Sequence, residues 1–196
     1  MPTPLKPSKN TSHLKSQLIE LIRRRSYREG DFTLASGQKS TFYIDLKPTT
    51  LHPEGAYLLG QLAVARVQEL GLPVEAVGGL TLGADPIATA VSLAAREAGL
   101  EWPAFIVRKE AKAHGTSKFI EGTENLREGM PVLVLEDVVT TGGSSVKAIE
   151  RLREAGYRPT AVLTIVDREQ GGAEKFRELG LQLIALATIS EVRNHR

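Results

Sequence analysis

Two adjacent acids, Glu136 and Asp137, stand between an apolar run and a loop of small residues. The run is VLVL at residues 132–135, and four apolar residues without alternation are typical of a strand buried on both faces. Carboxylates at the end of such a strand lose hydration and repel each other. Their presence therefore indicates a ligand that neutralises them or donates hydrogen bonds to them.

The loop that follows reads TTGGSS at residues 140–145 and has the composition of a phosphate-binding turn. Glycines let the backbone approach an anion, and the N-terminus of the next helix offers free N–H groups and the positive end of its dipole. The apolar spacing of Val146, Ile149 and Leu152 predicts that helix. Because open α/β sheets bind ligands at the carboxyl ends of their strands, acids beside such a turn suit a sugar phosphate. An ordinary strand-to-helix turn is the alternative for the loop taken alone.

A cationic segment, RKEAKAHG at residues 108–115, follows a short apolar strand at Ala104–Val107. It holds four cationic or potentially cationic side chains in seven positions, namely Arg108, Lys109, Lys112 and His114. Residues 110–122 lack a regular apolar period, which predicts a long mobile loop. A solvated surface loop is the alternative, but charge clustered in this way suits a pyrophosphate.

These segments resemble those of the type I phosphoribosyltransferases. Acid-acid-Val-Val-Thr-Thr-Gly-Gly-Ser at residues 136–144 is similar to the motif with which that superfamily binds phosphoribosyl pyrophosphate (PRPP). RKEAKAHG matches the RKxxKxHG catalytic loop of its orotate phosphoribosyltransferases. DFTLASGQKSTFYIDLK at residues 31–47 resembles the hood that covers the base, and VGGLTLGADP at residues 77–86 resembles the pyrophosphate loop. The resemblance extends over residues 12–190.

The resemblance implies a reaction and a set of residues that carry it. Orotate N1 would attack the anomeric carbon of PRPP and release pyrophosphate, giving orotidine 5′-monophosphate for de novo pyrimidine (UMP) synthesis. The catalytic residues would be Lys112, Asp137, Arg108 and His114. The substrate-binding residues would be Lys109, Glu136, Val138, Val139, Thr140, Thr141, Gly142, Gly143, Ser144, Arg168, Tyr43 and Ile44.

Within that set, the resemblance also implies individual roles. The two acids would hold the ribose hydroxyls, residues 140–144 the 5′-phosphate, and Arg168 the orotate ring or its carboxylate. Lys112 would contact the leaving pyrophosphate, and His114 would either donate a proton or stand by without a role. Mg²⁺ would be held mainly through PRPP. A homodimer is implied as well, because in relatives the catalytic loop reaches the active site of the neighbouring subunit.

Three positions depart from the family pattern. Ala35 stands where some members carry a lysine after FTL, and residues 80–84 lack the lysine that some carry in the pyrophosphate loop. We therefore expect the pyrophosphate to depend on loop amides and on the cations of residues 108–112. Glu136 stands where many orotate enzymes have aspartate, so the family role of a strand-end acid transfers more safely to Asp137.

Alternative functions differ in the features that they require. A phosphoribosyltransferase of the same fold that uses a purine base would lack RKEAKAHG and this hood. A non-enzymatic PRPP-sensing regulator of the same fold would keep residues 132–145 but need no cationic loop, and would usually add a nucleic-acid-binding surface. We expect no fused decarboxylase domain, because 196 residues leave no room for one.

Composition narrows the class of protein. With 41% hydrophobic residues in 196, the chain can bury the core of one domain. Its 25 basic and 23 acidic side chains are too balanced to favour a nucleic-acid surface, and the absence of cysteine excludes disulfide and thiol chemistry. No run approaches the ~18 apolar residues of a membrane span, and residues 1–11 predict a flexible tail without the apolar core of a signal peptide. We expect a cytoplasmic protein.

The elements that position these residues alternate between helix and strand. This pattern predicts an α/β fold with a doubly wound, mostly parallel sheet and helices on both faces, in one domain over residues 12–196. The hood would span about 12–50, the core about 51–190, and the mobile catalytic loop about 108–122. Predicted helices lie at 12–25, 53–70, 85–98, 144–155 and 172–179. Predicted strands lie at 74–78, 104–107, 132–136, 161–167 and 183–188.

Overall fold

The computed structural model describes residues 10–33, 37, 39–110 and 119–195. The helices are α1 (Asn10–Arg25), α2 (Lys47–Thr50), α3 (Pro53–Glu69), α4 (Asp85–Glu97), α5 (Gly143–Glu154), α6 (Gly172–Glu178) and α7 (Ile189–Asn194). The strands are β1 (Tyr27–Thr33), β2 (Lys39–Ile44), β3 (Ala76–Leu80), β4 (Ala104–Val107), β5 (Ile120–Glu121), β6 (Pro131–Val139), β7 (Arg158–Asp167) and β8 (Gln182–Thr188).

The order of the strands in the main sheet creates a binding crevice. This six-stranded sheet has the order β5-β4-β3-β6-β7-β8, and its strands are parallel except for β5, which pairs antiparallel with β4. The chain leaves β3 toward β4 on one side and returns to β6 on the other side. Helices that follow β3 and β6 consequently diverge, which opens a crevice at the carboxyl ends of these two strands. The acids at the end of β6 lie beside this switch point.

Alternate side chains of β6 enter two separate hydrophobic clusters. Leu133 and Leu135 belong to the cluster that contains apolar residues of α1, α3 and α4. Val132 and Val134 belong to the cluster that contains apolar residues of α5 and α6. The sheet is therefore covered by helices on both faces, which explains why β6 carries apolar residues without alternation. The predicted fold class is confirmed.

The hood is a two-stranded antiparallel sheet, β1 with β2, joined to the core by α1. Along β2 the side chains of Phe42 and Ile44 are half-buried and pack on the core, whereas the alternate residues are exposed. The end of α1 is fixed to α7, because the Arg23 guanidinium donates to the carbonyl oxygens of Val192 (3.1 Å) and Arg193 (2.6 Å). These carbonyls lie at the C-terminal end of α7, where a cation also stabilises the helix dipole.

Several short helices and strands of the structure are not predicted by the sequence pattern. The strands β1 and β5 and the helices α2 and α7 were not among the predicted elements, and β6 continues three residues beyond its predicted end to Val139. Ile120 and Glu121 form β5 inside the segment predicted as a loop. Helix α1 begins at Asn10, inside the predicted tail, while residues 1–9 and 111–118 lie outside the described part of the chain. In the part that is described, no helix has the length and apolar character needed to cross a bilayer.

Candidate active site

The two acids of β6 point to opposite faces of the sheet, as successive strand residues do. Glu136 is buried on the α5 side, where the hydroxyl of Ser145 donates to its Oε2 at 2.9 Å. Burial, with the nearby charge of Asp137 as a smaller cause, raises the pKa of Glu136 to about 8. Asp137 is half-buried on the opposite side. The acid pair thus divides into a buried acid beneath the phosphate-binding turn and a more accessible acid at the crevice.

The TTGGSS turn, which was predicted to bind phosphate, lines a cavity of about 210 Å³. Its lining consists of the end of β6 and the start of α5: Glu136, Val138, Val139, Thr140, Thr141, Gly142, Gly143, Ser144 and Ser145. No side chain from the described residues caps the N-terminus of α5, so its first amides are directed at this cavity. An uncapped helix start that lines a cavity is suited to an anion such as phosphate.

Gly142 is required by two features of the turn. It adopts φ +82°, a left-handed conformation that favours glycine, and an added Cβ would lie 2.8 Å from the ring of Phe176. That ring belongs to α6, which packs beneath the turn. Gly172, at the start of α6, is also tightly placed, since a Cβ there would lie 2.3 Å from Val139 Cγ1. Helix α6 thereby supports the turn from below.

The pyrophosphate-type loop at residues 80–84 lies directly against Asp137. A Cβ added at Gly83 would lie 2.9 Å from both Cγ and Oδ1 of Asp137. The loop is held by Thr81, whose amide donates to the carbonyl of Val107 (2.8 Å) and whose hydroxyl donates to Asp85 (2.7 Å). The Thr81–Leu82 peptide bond is cis. Asp137 is therefore placed between the phosphate-binding turn and this loop.

The start of the cationic segment borders the same loop. A cavity of about 420 Å³ is lined by Thr81, Ile106, Arg108, Lys109, Glu110 and Glu121. Lys109 is exposed, and the guanidinium of Arg108 forms an ion pair with Glu121 at 2.9 Å. The predicted residues Lys112 and His114 lie outside the described part of the chain. Arg108 and Lys109, the first two predicted cations, therefore line the same cavity as Thr81 of the pyrophosphate-type loop.

Arg168 connects the phosphate-binding turn to the hood. Its amide donates to the carbonyl of Val139 at 2.9 Å, and its guanidinium lies 4.9 Å from the centroid of the Phe42 ring. Burial lowers the pKa of Arg168, and its buried Nε has no hydrogen-bond partner among the described residues. A buried donor without a partner is costly, so this guanidinium is available to an acceptor on a ligand.

Phe42, which was not among the predicted substrate-binding residues, lies beside Arg168. The predicted residue Tyr43 is 44% exposed and its ring lies 5.6 Å from that of Phe32, and its role in binding the base stays a prediction. Ile44 is half-buried and packs against the core. The alternation of side chains along a strand predicts this difference, because Phe42 and Ile44 share one face of β2 and Tyr43 lies on the other face. The half-buried face of the hood therefore presents Phe42 to Arg168.

Lys47 is a second residue that the interpretation passed over. Its Nζ donates to Asp45 at 3.0 Å, and this hydrogen bond, together with the charge of Asp137, raises the pKa of Lys47. An ammonium group consequently lies within electrostatic range of the crevice acid. It places a positive charge near the crevice of a chain that lacks two family lysines, at Ala35 and in residues 80–84.

Strand β6 ends in two acids, and the phosphate-binding turn and the start of the cationic segment lie at the same switch point of the sheet. This combination of fold and site defines a phosphoribosyltransferase. The sequence profile of the phosphoribosyl transferase domain matches residues 52–180. The orotate phosphoribosyltransferase of Thermosynechococcus vestitus is 53% identical over 179 residues, which cover 91% of this chain and 93% of that protein. The orotate phosphoribosyltransferase of Nostoc sp. is 49% identical over 184 residues, which cover 94% of this chain and 87% of that protein. The Mycobacterium tuberculosis orotate phosphoribosyltransferase, solved in complex with PRPP, is 37% identical, with a TM-score of 0.76 over 92% of this chain and 99% of that one. The chain belongs to the orotate phosphoribosyltransferase family.

Proposed function

We propose that the crevice transfers the phosphoribosyl group of PRPP to orotate, giving orotidine 5′-monophosphate and pyrophosphate in de novo pyrimidine synthesis. The observation that carries this proposal is the arrangement of three subsites around Asp137. The phosphate-binding turn lies on one side of it, the Gly83 loop lies against it, and Arg168 with Phe42 adjoins the turn. That the M. tuberculosis relative was solved in complex with PRPP supports PRPP as the substrate of this crevice.

The chain's own residues would act mainly by position and charge. As the bond to pyrophosphate breaks, the ribose becomes cation-like and the leaving group gains negative charge, which fixed dipoles and cations stabilise. Asp137 would hold the ribose hydroxyls, because it faces the crevice. Glu136 would take a supporting role beneath the turn, because burial raises its pKa to about 8 and favours the protonated form at neutral pH, although the hydrogen bond from Ser145 acts in the opposite direction.

The base and the leaving group would be held at opposite ends of the crevice. The Arg168 guanidinium would bind the anionic orotate while Phe42 limits the motion of that guanidinium. Arg108 and Lys109 would contact the pyrophosphate beside Thr81. We assign Lys112 to the same leaving group and His114 to proton donation, on the strength of the RKEAKAHG motif.

Mg²⁺ fits this site as a partner of PRPP. It prefers oxygen ligands, retains several waters, and is commonly bound by one or two carboxylates together with substrate phosphates. Asp137 is the carboxylate at the crevice and Glu136 is its buried neighbour in the chain, so we propose that the acid pair lies near an ion held mainly by PRPP. When bound, the ion would neutralise part of the charge on the pyrophosphate.

We further propose a cytoplasmic homodimer that shares the catalytic loop between subunits. Large apolar side chains are exposed on and beside α3 and α4, at Leu51 (70%), Tyr57 (58%) and Leu93 (65%). Exposed apolar groups of this size are suited to a subunit interface. In a two-fold dimer each subunit would give the other the same element.

A base panel tests the proposed reaction. Loss of orotate absorbance is followed after addition of PRPP and Mg²⁺, with uracil, hypoxanthine and adenine as competing bases and excess chelator as the metal control. We expect turnover with orotate alone and none in chelator. Equal or faster use of a purine would overturn the orotate assignment, and activity in chelator would overturn the metal requirement.

A further inference from the structure

Arg151 contacts both ends of the chain segment that carries the catalytic cations. From α5, its Nη1 donates to the carbonyl of Arg108 and its Nη2 donates to the carbonyl of Lys109 at 2.9 Å. Its guanidinium also lies 4.1 Å from the centroid of the Phe119 ring. The amide of Arg108 donates to the carbonyl of Phe119 at 2.8 Å, so the two ends of the segment are adjacent.

The geometry of these contacts requires arginine. A guanidinium is planar and presents its N–H groups as a rigid fork, so it can donate to two successive carbonyls while its face stacks on an aromatic ring. Lysine would keep the charge but would lose the fork and the stacking. Charge-assisted hydrogen bonds of this kind are stronger than neutral ones, so they can fix the backbone at the root of the segment.

Helix α5 links this root to the phosphate-binding turn. Its first turn lines the phosphate cavity, and Ser145 there bonds to Glu136. Arg151 lies eight residues after Gly143, which corresponds to about 12 Å along the helix axis. One rigid helix therefore sets the phosphate subsite at its start and the position of Arg108 and Lys109 near its end.

We propose that Arg151 is a positioning residue for pyrophosphate and PRPP: it holds the backbone of Arg108 and Lys109 so that their side chains meet the leaving group. The inference rests on the proposed function, because Arg108 and Lys109 are assigned there to the pyrophosphate. The competing explanation is that Arg151 only stabilises the last turn of α5, where a cation is favourable in any case.

The matched control is Arg153, which lies on the same helix turn and donates through Nη2 to the carbonyl of Leu179 at 2.9 Å. It has the same residue type and the same kind of contact, but it faces away from the cationic segment. Arg151→Met, Arg151→Lys and Arg153→Met are compared with the wild type. Affinities for PRPP, pyrophosphate and orotidine 5′-monophosphate are measured by calorimetry, kcat and KM by turnover, and folding by thermal unfolding.

We expect Arg151→Met to weaken PRPP and pyrophosphate binding by about tenfold, the loss expected when charge-assisted hydrogen bonds no longer fix a binding group. Orotidine 5′-monophosphate lacks pyrophosphate, so its affinity should stay within about twofold. Arg151→Lys should be intermediate, and Arg153→Met should match the wild type. Equal weakening of all three ligands, or an unchanged PRPP affinity, would overturn the proposal.

Two readouts separate this proposal from the proposed function. If the wild type binds PRPP but does not use orotate, the function fails while the PRPP affinities of the Arg151 variants still decide the positioning role. If Arg151→Met does not fold, the test relies on Arg151→Lys. A folded Arg151→Lys variant with full PRPP affinity would show that the two guanidinium donors are dispensable, and the proposal would be dropped.

Discussion

At the scale of single residues, the chemical difference between Glu136 and Asp137 arises from strand geometry. The acids are neighbours in sequence, but one is enclosed against Ser145 and the other lies against Gly83. The period of two along a strand already predicts this divergence. The raised pKa of Glu136 could not be predicted in the same way, because it depends on how completely α5 covers the carboxyl group.

Asp137→Asn should impair turnover far more than folding. The substitution keeps the shape and removes the charge that faces the crevice, so we expect kcat/KM for PRPP to fall by at least about 100-fold. Thermal unfolding should change little. Glu136→Gln serves as the comparison and should be milder, because that acid lies beneath the turn. An Asp137→Asn variant with near wild-type activity would show that the crevice acid is structural.

Glu136 should make the stability of the ligand-free protein fall as the pH rises. An unfolded glutamate loses its proton near pH 4.5, whereas the folded protein retains it until about pH 8. In this window the folded state binds more protons, so the free energy of unfolding decreases with pH, by at most about 1.4 kcal/mol per pH unit. Glu136→Gln should remove this dependence.

The measurement is denaturant unfolding of both proteins at several pH values across that window. The matched control is Glu150→Gln, which changes an exposed glutamate on α5. We expect the control to follow the wild type at every pH. A constant difference in unfolding free energy between wild type and Glu136→Gln would mean that the folded protein does not hold Glu136 in its protonated form.

At the residue level, the sequence best predicts groupings that follow from the local backbone pattern. The turn residues 140–144 line one cavity, and Arg168 lies beside the hood, while their contacts with phosphate and orotate stay predictions. The positions of Phe42 beside Arg168 and of Lys47 near Asp137 have a different origin. Both depend on which way the hood faces the core, a tertiary relationship that no local period describes.

At the scale of elements, close approach of loops explains where glycine is required. Gly83→Ala should weaken PRPP binding by about tenfold, because the new Cβ would displace the Asp137 carboxylate from its position. Its backbone φ lies outside the left-handed region, so the backbone itself should tolerate alanine. The readouts are PRPP affinity by calorimetry and stability by thermal unfolding.

A double-mutant cycle tests the cause of that loss. If Gly83→Ala acts through Asp137, then adding it to Asp137→Asn should cost much less than it does in the wild type. Additive losses would mean that Gly83 acts independently, for example through its own backbone contact with the ligand.

Element order shows what the sequence could and could not determine. The long periodic segments, such as α3 and α5, were predicted within one or two residues of their bounds. The two-residue β5 and the six-residue α7 were missed, because so few residues give no measurable period. The position of β6 next to β3 follows from packing of the whole sheet, and this position creates the crevice.

At the scale of the whole molecule, separate parts of the chain converge on the hood. Arg23 fixes the end of α1 to α7, and the guanidinium of Arg193 on α7 lies 5.7 Å from the centroid of the Phe42 ring. Phe42 in turn contacts Arg168 of the core. The proposed base subsite therefore depends on the N-terminal, central and C-terminal parts of the chain together.

The proposed shared site makes a prediction about mixed dimers. If Lys112 acts in the partner's active site, neither the all-Lys112→Ala dimer nor the all-Asp137→Asn dimer should turn over efficiently. A mixed dimer would assemble one site with both defects and one site with neither. Activity should then return on mixing, to about half the wild-type value per heterodimer if the two sites are independent.

Subunit exchange must be verified by native mass spectrometry, because unmixed dimers would show no recovery for a trivial reason. The control mixes Lys112→Ala with Lys112→Ala carrying a mass tag, which exchanges without restoring any site. Recovery in the test mixture alone would assign Lys112 to the neighbouring subunit's reaction. Verified heterodimers that stay as inactive as their parents would place Lys112 within its own subunit or outside catalysis, and the shared-site proposal would be dropped.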